Sequence, residues 1–133
     1  MLSVSKKQVD EAVAYCKSHY PKEACGLFGG TDGRVQQVYL MRNVEDSPIG
    51  YSMDPKEQLQ VEKQMRQKGQ KLIGIFHSHT ASEAYPSSVD VNLAISPDVS
   101  YVLVSLKDQS KPDFRSYRID GKTITEEIVQ VDP

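Results

Sequence analysis

Apolar and polar residues alternate with helical spacing in two segments of the chain. Residues 5–19, SKKQVDEAVAYCKSH, carry one apolar face, which consists of Val9, Ala12, Val13 and Cys16. Ser5 can cap the start of this helix, and a proline follows its end. A second helix is predicted from Pro55 to Gly69, because Asp54 is a favourable N-cap and a glycine commonly follows the last turn.

The remaining apolar runs are short and rich in β-branched and aromatic residues, which predicts strands. ACGLFGG and RVQQVYLM flank the turn GTDG and form a predicted hairpin. KLIGIF is a further strand, and it leads directly into His77. SYVLVSL, DFRSYRID and KTITEEIVQV are three more predicted strands. A short third helix is predicted to begin near Ser87, where PSSVDVNLAIS contains an S-x-x-D capping pattern.

The predicted order of elements is helix, two strands, helix, strand, short helix and three strands. This order indicates an α/β fold of the α+β type, with a mixed, largely antiparallel sheet flanked by helices. A chain of 133 residues has the usual size of one domain, so we expect a single domain over residues 1–133.

Composition and charge narrow the classes of function. A net charge of −2 argues against broad nucleic-acid binding, which needs clustered lysine and arginine. The basic stretch 63–71 is interpreted as the solvated end of the second helix rather than a nucleic-acid site. No apolar run is long enough to span a bilayer and no export signal is visible, so we expect a cytoplasmic protein without a membrane partner. Cys16 and Cys25 are then expected to be reduced and buried.

Residues 75–90, IFHSHTASEAYPSSVD, gather groups that can bind a metal ion. Alternate side chains of a strand point the same way, so His77 and His79 can hold one ion between them. Asp90 would complete three ligands of the types that zinc prefers, with a fourth position left for water. The same residues also have a simpler explanation, in which the histidines are ordinary and Ser87 and Asp90 only cap a helix.

Amide hydrolysis at such a site needs two further groups, a base and a donor for the oxyanion. Ser87 is the local candidate for the donor. The base is a carboxylate outside the ligand set, and four glutamates are candidates: Glu23, Glu57, Glu62 and Glu83. Spacing alone does not choose among them.

The segment resembles the signature of the JAMM (MPN+) zinc metalloproteases, which is an upstream glutamate, H-x-H, seven residues, serine, two residues and aspartate. The fixed positions after the glutamate are filled by His77, His79, Ser87 and Asp90. PKEACGLFGG resembles the family's glutamate strand, and this selects Glu23. Thr80 departs from the pattern, since many members have proline after the second histidine.

The resemblance implies a cytidine-deaminase-like, MPN-type architecture of the prokaryotic single-domain kind. It implies one zinc ion held by His77, His79 and Asp90. Glu23 would act as general base on the zinc-bound water, and Ser87 would stabilise the oxyanion. Iron or cobalt in place of zinc remains open, because affinity order alone does not set occupancy.

The resemblance also implies a peptidase or isopeptidase that cleaves after the C-terminal Gly-Gly of a ubiquitin-like or sulfur-carrier protein. EDSPIGYSM and TASEAY are expected to wall a channel for that tail. Tyr51 and Met53 are expected either to pack at the entrance of the second helix or to contact the carrier. Two alternatives stay open, a non-catalytic MPN-type binding or scaffold module and a zinc hydrolase of unrelated small amides.

Overall fold

Eight strands and three helices make up the part of the chain that the computed structural model describes, residues 1–94 and 96–133. The strands are β1 (Leu2–Ser5), β2 (Cys25–Thr31), β3 (Arg34–Met41), β4 (Lys71–His79), β5 (Ser100–Ser105), β6 (Asp113–Asp120), β7 (Thr123–Glu127) and β8 (Val129–Asp132). The helices are α1 (Lys6–His19), α2 (Pro55–Gln67) and α3 (Ser88–Leu93).

The strands form one mixed sheet in the order β7-β6-β5-β4-β2-β3-β1-β8. The pairs β2–β3, β2–β4, β5–β6 and β6–β7 are antiparallel, whereas β4–β5, β1–β3 and β1–β8 are parallel. The predicted fold class is therefore confirmed. Cys25 at the start of β2 pairs with His77 near the end of β4, so the two strands meet where both histidines lie.

Two features of the sheet were not predicted. β1 is only four residues long and pairs with β8, from Leu2 opposite Val129 to Ser5 opposite Asp132, so its stability comes from the far end of the sequence. KTITEEIVQV was predicted as one strand, but it breaks at Ile128 into β7 and β8. These consecutive strands lie at opposite ends of the sheet order, which requires the sheet to curl until its edges approach each other.

The helices begin as their capping residues predict. The Ser5 side chain accepts from the backbone N–H of Gln8, and the Gln8 side chain accepts from Ser5, which completes a capping box at α1. Asp54 caps α2 by accepting from the N–H of Lys56. Among the described residues, no helix is long and apolar enough to cross a membrane.

Both cysteines are free and fully buried, as predicted. Cys16 lies on the buried face of α1. Cys25 lies in a core cluster between the sheet and α2, together with Leu27, Tyr39, Met41 and Met65. Burial raises the pKa of each thiol to about 12, so both are inert packing residues. Lys63, Arg66 and Lys68 are exposed at the end of α2, which agrees with the interpretation as a solvated helix end, whereas the exposed Lys71 begins β4.

Strand β2 packs closely against its neighbours because it is rich in glycine. A Cβ atom on Gly26 would lie 2.1 Å from the Phe76 ring on β4 and 2.7 Å from the carbonyl oxygen of Tyr39 on β3. The predicted hairpin turn is present, with positive φ angles of 52° at Asp32 and 74° at Gly33. This close packing fixes β2 against β4 directly beneath the histidines.

Candidate metal centre

His77 and His79 lie within the last three residues of strand β4. Alternation along the strand puts both rings on one side, and the two Nε2 atoms are 3.2 Å apart. Both side chains are buried, with 5% of His77 and 6% of His79 exposed. Ser78 points to the other face and is fully buried, where its hydroxyl accepts from the N–H of Ala24 at 2.9 Å.

Asp90 reaches the histidines from the first turn of α3. Its Oδ1 lies 3.1 Å from Nε2 of His77, and its Oδ2 lies 3.0 Å from Nε2 of His79. The carboxylate is held by a capping box, since the N–H of Ser87 donates to Oδ2 at 2.8 Å and the N–H of Asp90 donates to the Ser87 hydroxyl at 3.1 Å. The candidate ligand Asp90 is therefore also the N3 partner of the capping box, with Ser87 as the N-cap.

The three side chains fit a tetrahedral metal ion. Ligands about 2.0–2.1 Å from zinc in tetrahedral geometry are about 3.3 Å from one another. The two Nε2 atoms are 3.2 Å apart, and each lies 3.0–3.1 Å from a different oxygen of the Asp90 carboxylate, close to that spacing. Nδ1 of His79 lies 2.9 Å from the carbonyl oxygen of Glu83, a contact that leaves Nε2 free to ligate.

Burial and mutual contacts shift the titration of the three groups. Burial lowers the pKa of His77, which favours its neutral, ligating form. Burial also acts to lower the pKa of His79, but hydrogen bonds to Asp90 and to the Glu83 carbonyl raise it overall. Burial acts to raise the pKa of Asp90, but hydrogen bonds from His77 and His79 hold it far below its usual range. Asp90 is thus a carboxylate at neutral pH.

Glu23 lies two residues before the start of β2 and lines the same cavity as His79 and Asp90. It is 7% exposed, and burial raises its pKa to about 7, with the nearby His79 opposing the shift and Asp90 adding to it. Its backbone is held on both sides, since its N–H donates to the carbonyl of Ser47 and its carbonyl accepts from Asn43. A carboxyl that titrates near neutrality suits a general base.

The other candidate glutamates lie elsewhere. The carboxylate of Glu57 accepts from the N–H of Arg42 at the entrance of α2. The Glu83 side chain is 81% exposed and lies 3.8 Å from the ammonium of Lys107. Glu62 lies in the middle of α2. The structure therefore brings only Glu23, of the four, into the cavity with the described ligand cluster.

The cavity beside the cluster has a volume of about 420 Å³. One wall is formed by Glu45 and residues 48–51 of the segment 43–53, which we call the wall loop, and another by residues 80–82, which follow His79. Thr80, the departure from the family pattern, donates its hydroxyl to the carbonyl of Pro48 at 3.2 Å and so links the two walls. Ser87 lies exposed on the cavity lining. The segments predicted to form a channel do line one cavity.

Two residues at the site, Ser78 and Asn43, were not among the candidate site residues of the sequence. Ser78 aligns the Glu23 segment with β4, because it bonds both the N–H and the carbonyl of Ala24. Asn43 bonds the Glu23 backbone. The Tyr51 ring stacks on His77 with centroids 4.5 Å apart, which agrees with its expected packing role. Tyr51 and Met53 both pack against the core cluster that contains Cys25. Only strand alternation, which turns Ser78 away from the histidines, was visible beforehand.

A mixed sheet whose central strand ends in two histidines, with an aspartate and a glutamate beside them, defines a JAB/MPN-type metalloprotease fold and site. The family model described as prokaryotic homologs of the JAB domain matches residues 5–120. The chain belongs to this family.

Among curated relatives, the "CysO-cysteine peptidase" of Mycobacterium tuberculosis is 43% identical over 98% of this chain and 91% of its own length. The "Desampylase" of Pyrococcus furiosus is 35% identical over 67% of this chain and 64% of its own length. These relatives are peptidases of the same class, and the chain is a hydrolase of that class.

Solved structures give the same fold. Protein DSY2949 of Desulfitobacterium hafniense is 41% identical, has a TM-score of 0.90 and aligns over 99% of this chain and 93% of its own. A structure described as "JAMM: A Metalloprotease-like Zinc Site in the Proteasome and Signalosome" has a TM-score of 0.63 at 17% identity, over 100% of this chain and 99% of its own. At that identity the likeness supports the fold alone.

Proposed function

We propose that the chain is a zinc-dependent peptidase or isopeptidase that cleaves after the C-terminal Gly-Gly of a ubiquitin-like or sulfur-carrier protein. The observation that carries the proposal is the shared cavity. Glu23, a carboxyl with a pKa raised to about 7 by burial, lines it together with His79 and Asp90 of a cluster that has the dimensions of a zinc site.

The chain's own residues then divide the work. Zinc held by His77, His79 and Asp90 would lower the pKa of water and polarise the scissile carbonyl. Glu23 accepts the proton of the attacking water and later donates it to the leaving amine. The Ser87 hydroxyl accepts from the N–H of Asp90 and keeps its own proton, which it donates to the carbonyl oxygen as negative charge develops there.

The cavity suits an extended glycine tail attached to a folded protein. Glycine has no side chain to clash with Pro48 on one wall or Thr80 on the other. Three exposed aliphatic side chains border the cavity, Ile49 at 90%, Val89 at 59% and Leu93 at 60%. They offer an apolar surface to the body of the carrier. The relatives named CysO-cysteine peptidase and desampylase support conjugates of this class as substrates.

We also propose one catalytic domain over residues 1–133 and a cytoplasmic location. The single sheet, which includes strands from Leu2 to Asp132, supports the first. The free, buried Cys16 and Cys25 support the second, because a reducing compartment keeps thiols unpaired. Cell fractionation tests the location, and limited proteolysis tests the single domain.

The deciding experiment measures bound zinc and cleavage in wild type, Glu23→Gln and His77→Ala. The substrate is a ubiquitin-like carrier with an extension after its terminal Gly-Gly. We expect about one zinc per chain in wild type and Glu23→Gln, with cleavage only in wild type, and neither zinc nor cleavage in His77→Ala. Glu83→Gln is the matched control, since its carboxylate is exposed and lies outside the cavity lining.

Each other outcome has a defined meaning. Cleavage by Glu23→Gln at the wild-type rate would contradict the assignment of the base. Zinc binding without cleavage of any carrier would favour the binding or scaffold module. Iron or cobalt in the purified protein, found by elemental analysis, would correct the metal and leave the ligands unchanged.

A further inference from the structure

Asn43 makes a fully used set of hydrogen bonds at the base of the wall loop. Its side-chain nitrogen donates to the carbonyl of Glu23 at 3.0 Å and to the carbonyl of Gly50 at 3.0 Å. Its side-chain oxygen accepts from the N–H of Glu45 at 3.1 Å and from the N–H of Ser52 at 3.1 Å. A carboxamide has two donor hydrogens and two acceptor lone pairs, and all four are engaged.

These four bonds join the backbone of Glu23 to both ends of the wall loop. The loop is closed on itself by the bond from the N–H of Val44 to the carbonyl of Ser52 at 2.9 Å. It is tied back to Glu23 by the bond from the Glu23 N–H to the carbonyl of Ser47, also 2.9 Å. Asn43 is the only described side chain that bonds the Glu23 backbone and the loop together.

We propose that Asn43 is a positioning residue, which sets the place of the Glu23 carboxylate relative to the metal ligands and holds the wall loop at the cavity. The inference rests on the proposed function of Glu23 as base. The backbone of Glu23 needs a dedicated partner to hold it in place, because Glu23 precedes β2 and so lies outside the regular hydrogen-bond ladder of the sheet. A base displaced by about 1 Å loses on the order of 10²-fold in rate, so a fixed backbone matters there.

The carboxamide bonds the backbone of Glu23 directly and contacts none of the candidate metal ligands; the wall loop contacts His77 through the stacked ring of Tyr51. His77 and His79 are fixed by β4, and Asp90 is fixed by the capping box of α3, neither of which Asn43 touches. The proposed role of Asn43 therefore predicts different effects on turnover and on zinc affinity. Loss of Asn43 should reduce turnover and leave zinc affinity unchanged.

The experiment compares Asn43→Ala and Asn43→Asp with wild type in zinc-loaded protein. Asn43→Asp has nearly the same shape and keeps the two acceptor contacts, but it cannot donate to Glu23 or Gly50. Val44→Ala is the matched control, because Val44 is the next residue of the same loop and its side chain is exposed. The measurements are kcat and KM on the carrier substrate, zinc affinity by chelator competition, and hydrogen exchange of the Glu23 and Ser52 amides.

We expect kcat to fall about 10- to 100-fold in both Asn43 variants, with zinc affinity within about twofold of wild type. The Glu23 amide should exchange at least about tenfold faster, because its partner Ser47 is no longer held in place. Val44→Ala should match wild type in all three measurements.

Unchanged kcat, or a loss of zinc affinity parallel to the loss of kcat, would overturn the proposal, since the second result means that Asn43 supports the fold generally. If Asn43→Ala does not fold, Asn43→Asp decides alone. If wild type cleaves no carrier, the proposed function fails, but amide exchange at Glu23 still shows whether Asn43 holds that residue.

Discussion

Glu23 is subject to two opposing demands. The general base that we propose must be ionised, but burial and the neighbouring carboxylates of Asp90 and Glu45 raise the pKa of Glu23 to about 7. The imidazole of His79 acts in the other direction. A divalent ion in the cluster would also lower this pKa, because a nearby positive charge favours the carboxylate. Ionisation of Glu23 therefore costs free energy in the metal-free protein and becomes more favourable when a metal ion occupies the cluster.

The raised pKa of Glu23 predicts how the stability of the metal-free protein depends on pH. The pKa of Glu23 is about 7 in the folded chain and 4.5 for an ordinary glutamate, so between these values the folded state binds more protons. Stability therefore falls as pH rises from about 4.5 to about 7, by about 3 kcal/mol at most. Glu23→Gln removes the titration, so metal-free Glu23→Gln should be more stable than wild type above pH 7 and no more stable near pH 4.

Urea unfolding of the metal-free proteins at pH 4, 6 and 8 measures this difference. Glu83→Gln serves as the control, since that side chain is exposed and lies outside the cavity lining. A constant difference between Glu23→Gln and wild type at all three pH values would mean that Glu23 is not preferentially protonated in the folded state.

At the scale of elements, the short helix α3 does more than its length suggests. It has six residues and none of them is buried, so packing contributes little to its stability. The capping box stabilises α3, and its two hydrogen bonds also orient the Asp90 side chain toward the histidines. Helix formation and ligand placement are consequently coupled through Ser87.

Ser87 can be tested by comparing two substitutions. Ser87→Ala removes both the cap and the hydroxyl donor, so we expect a stability loss of about 1 kcal/mol and cleavage about 10²–10³-fold slower, with zinc retained. Ser87→Thr keeps the hydroxyl and should retain most of the activity. Thermal melts, zinc content and cleavage rates provide the readout.

A different pattern would reassign the residue. If Ser87→Ala loses zinc together with activity, the capping role dominates, because Asp90 is then no longer held near His77 and His79. If Ser87→Ala cleaves at the wild-type rate with zinc bound, Ser87 contributes no oxyanion donor.

The same scale shows what local sequence could predict. The starts of α1, α2 and α3 follow from side chains that bond their own backbone within three residues, so a local pattern suffices. β1 could not be predicted, because its pairing partner β8 lies at the other end of the chain. Strand alternation and one cap made His77, His79 and Asp90 candidate ligands, and only the family resemblance favoured metal binding over ordinary histidines and a helix cap. Selecting Glu23 needed the family resemblance, since its approach depends on how β2 pairs with β4.

Over the whole molecule, the site is assembled from parts that are distant in sequence. Glu23 lies just before β2, the wall loop connects β3 and α2, and the candidate ligands lie on β4 and α3. β5 supports the segment after His79, since the N–H of Leu106 donates to the carbonyl of His79 and the Ser105 hydroxyl donates to the carbonyl of Ser82. The sheet and its hydrogen bonds therefore support the site, and α3, which has no buried residue, is the least supported element of the site.

A bound metal ion would join that least supported part to the centre of the sheet. An ion at about 1,000 times its dissociation constant stabilises the folded state by about 4 kcal/mol, because it does not bind the same cluster in the unfolded chain. For a chain of this size, that corresponds to a melting temperature higher on the order of 10 °C. Removing zinc with EDTA should therefore lower the melting temperature of wild type by this amount, and restoring zinc should reverse it.

His77→Ala isolates the cause of this shift. It removes one ligand, so its melting temperature should be the same with zinc and with EDTA, whereas Glu23→Gln should keep the full zinc-dependent increase. Hydrogen exchange on wild type should show that EDTA accelerates the amides of α3 more than those of β4, since β4 is paired on both sides by β2 and β5. Equal melting temperatures of wild type with zinc and with EDTA would show that these three side chains do not hold a metal that stabilises the fold.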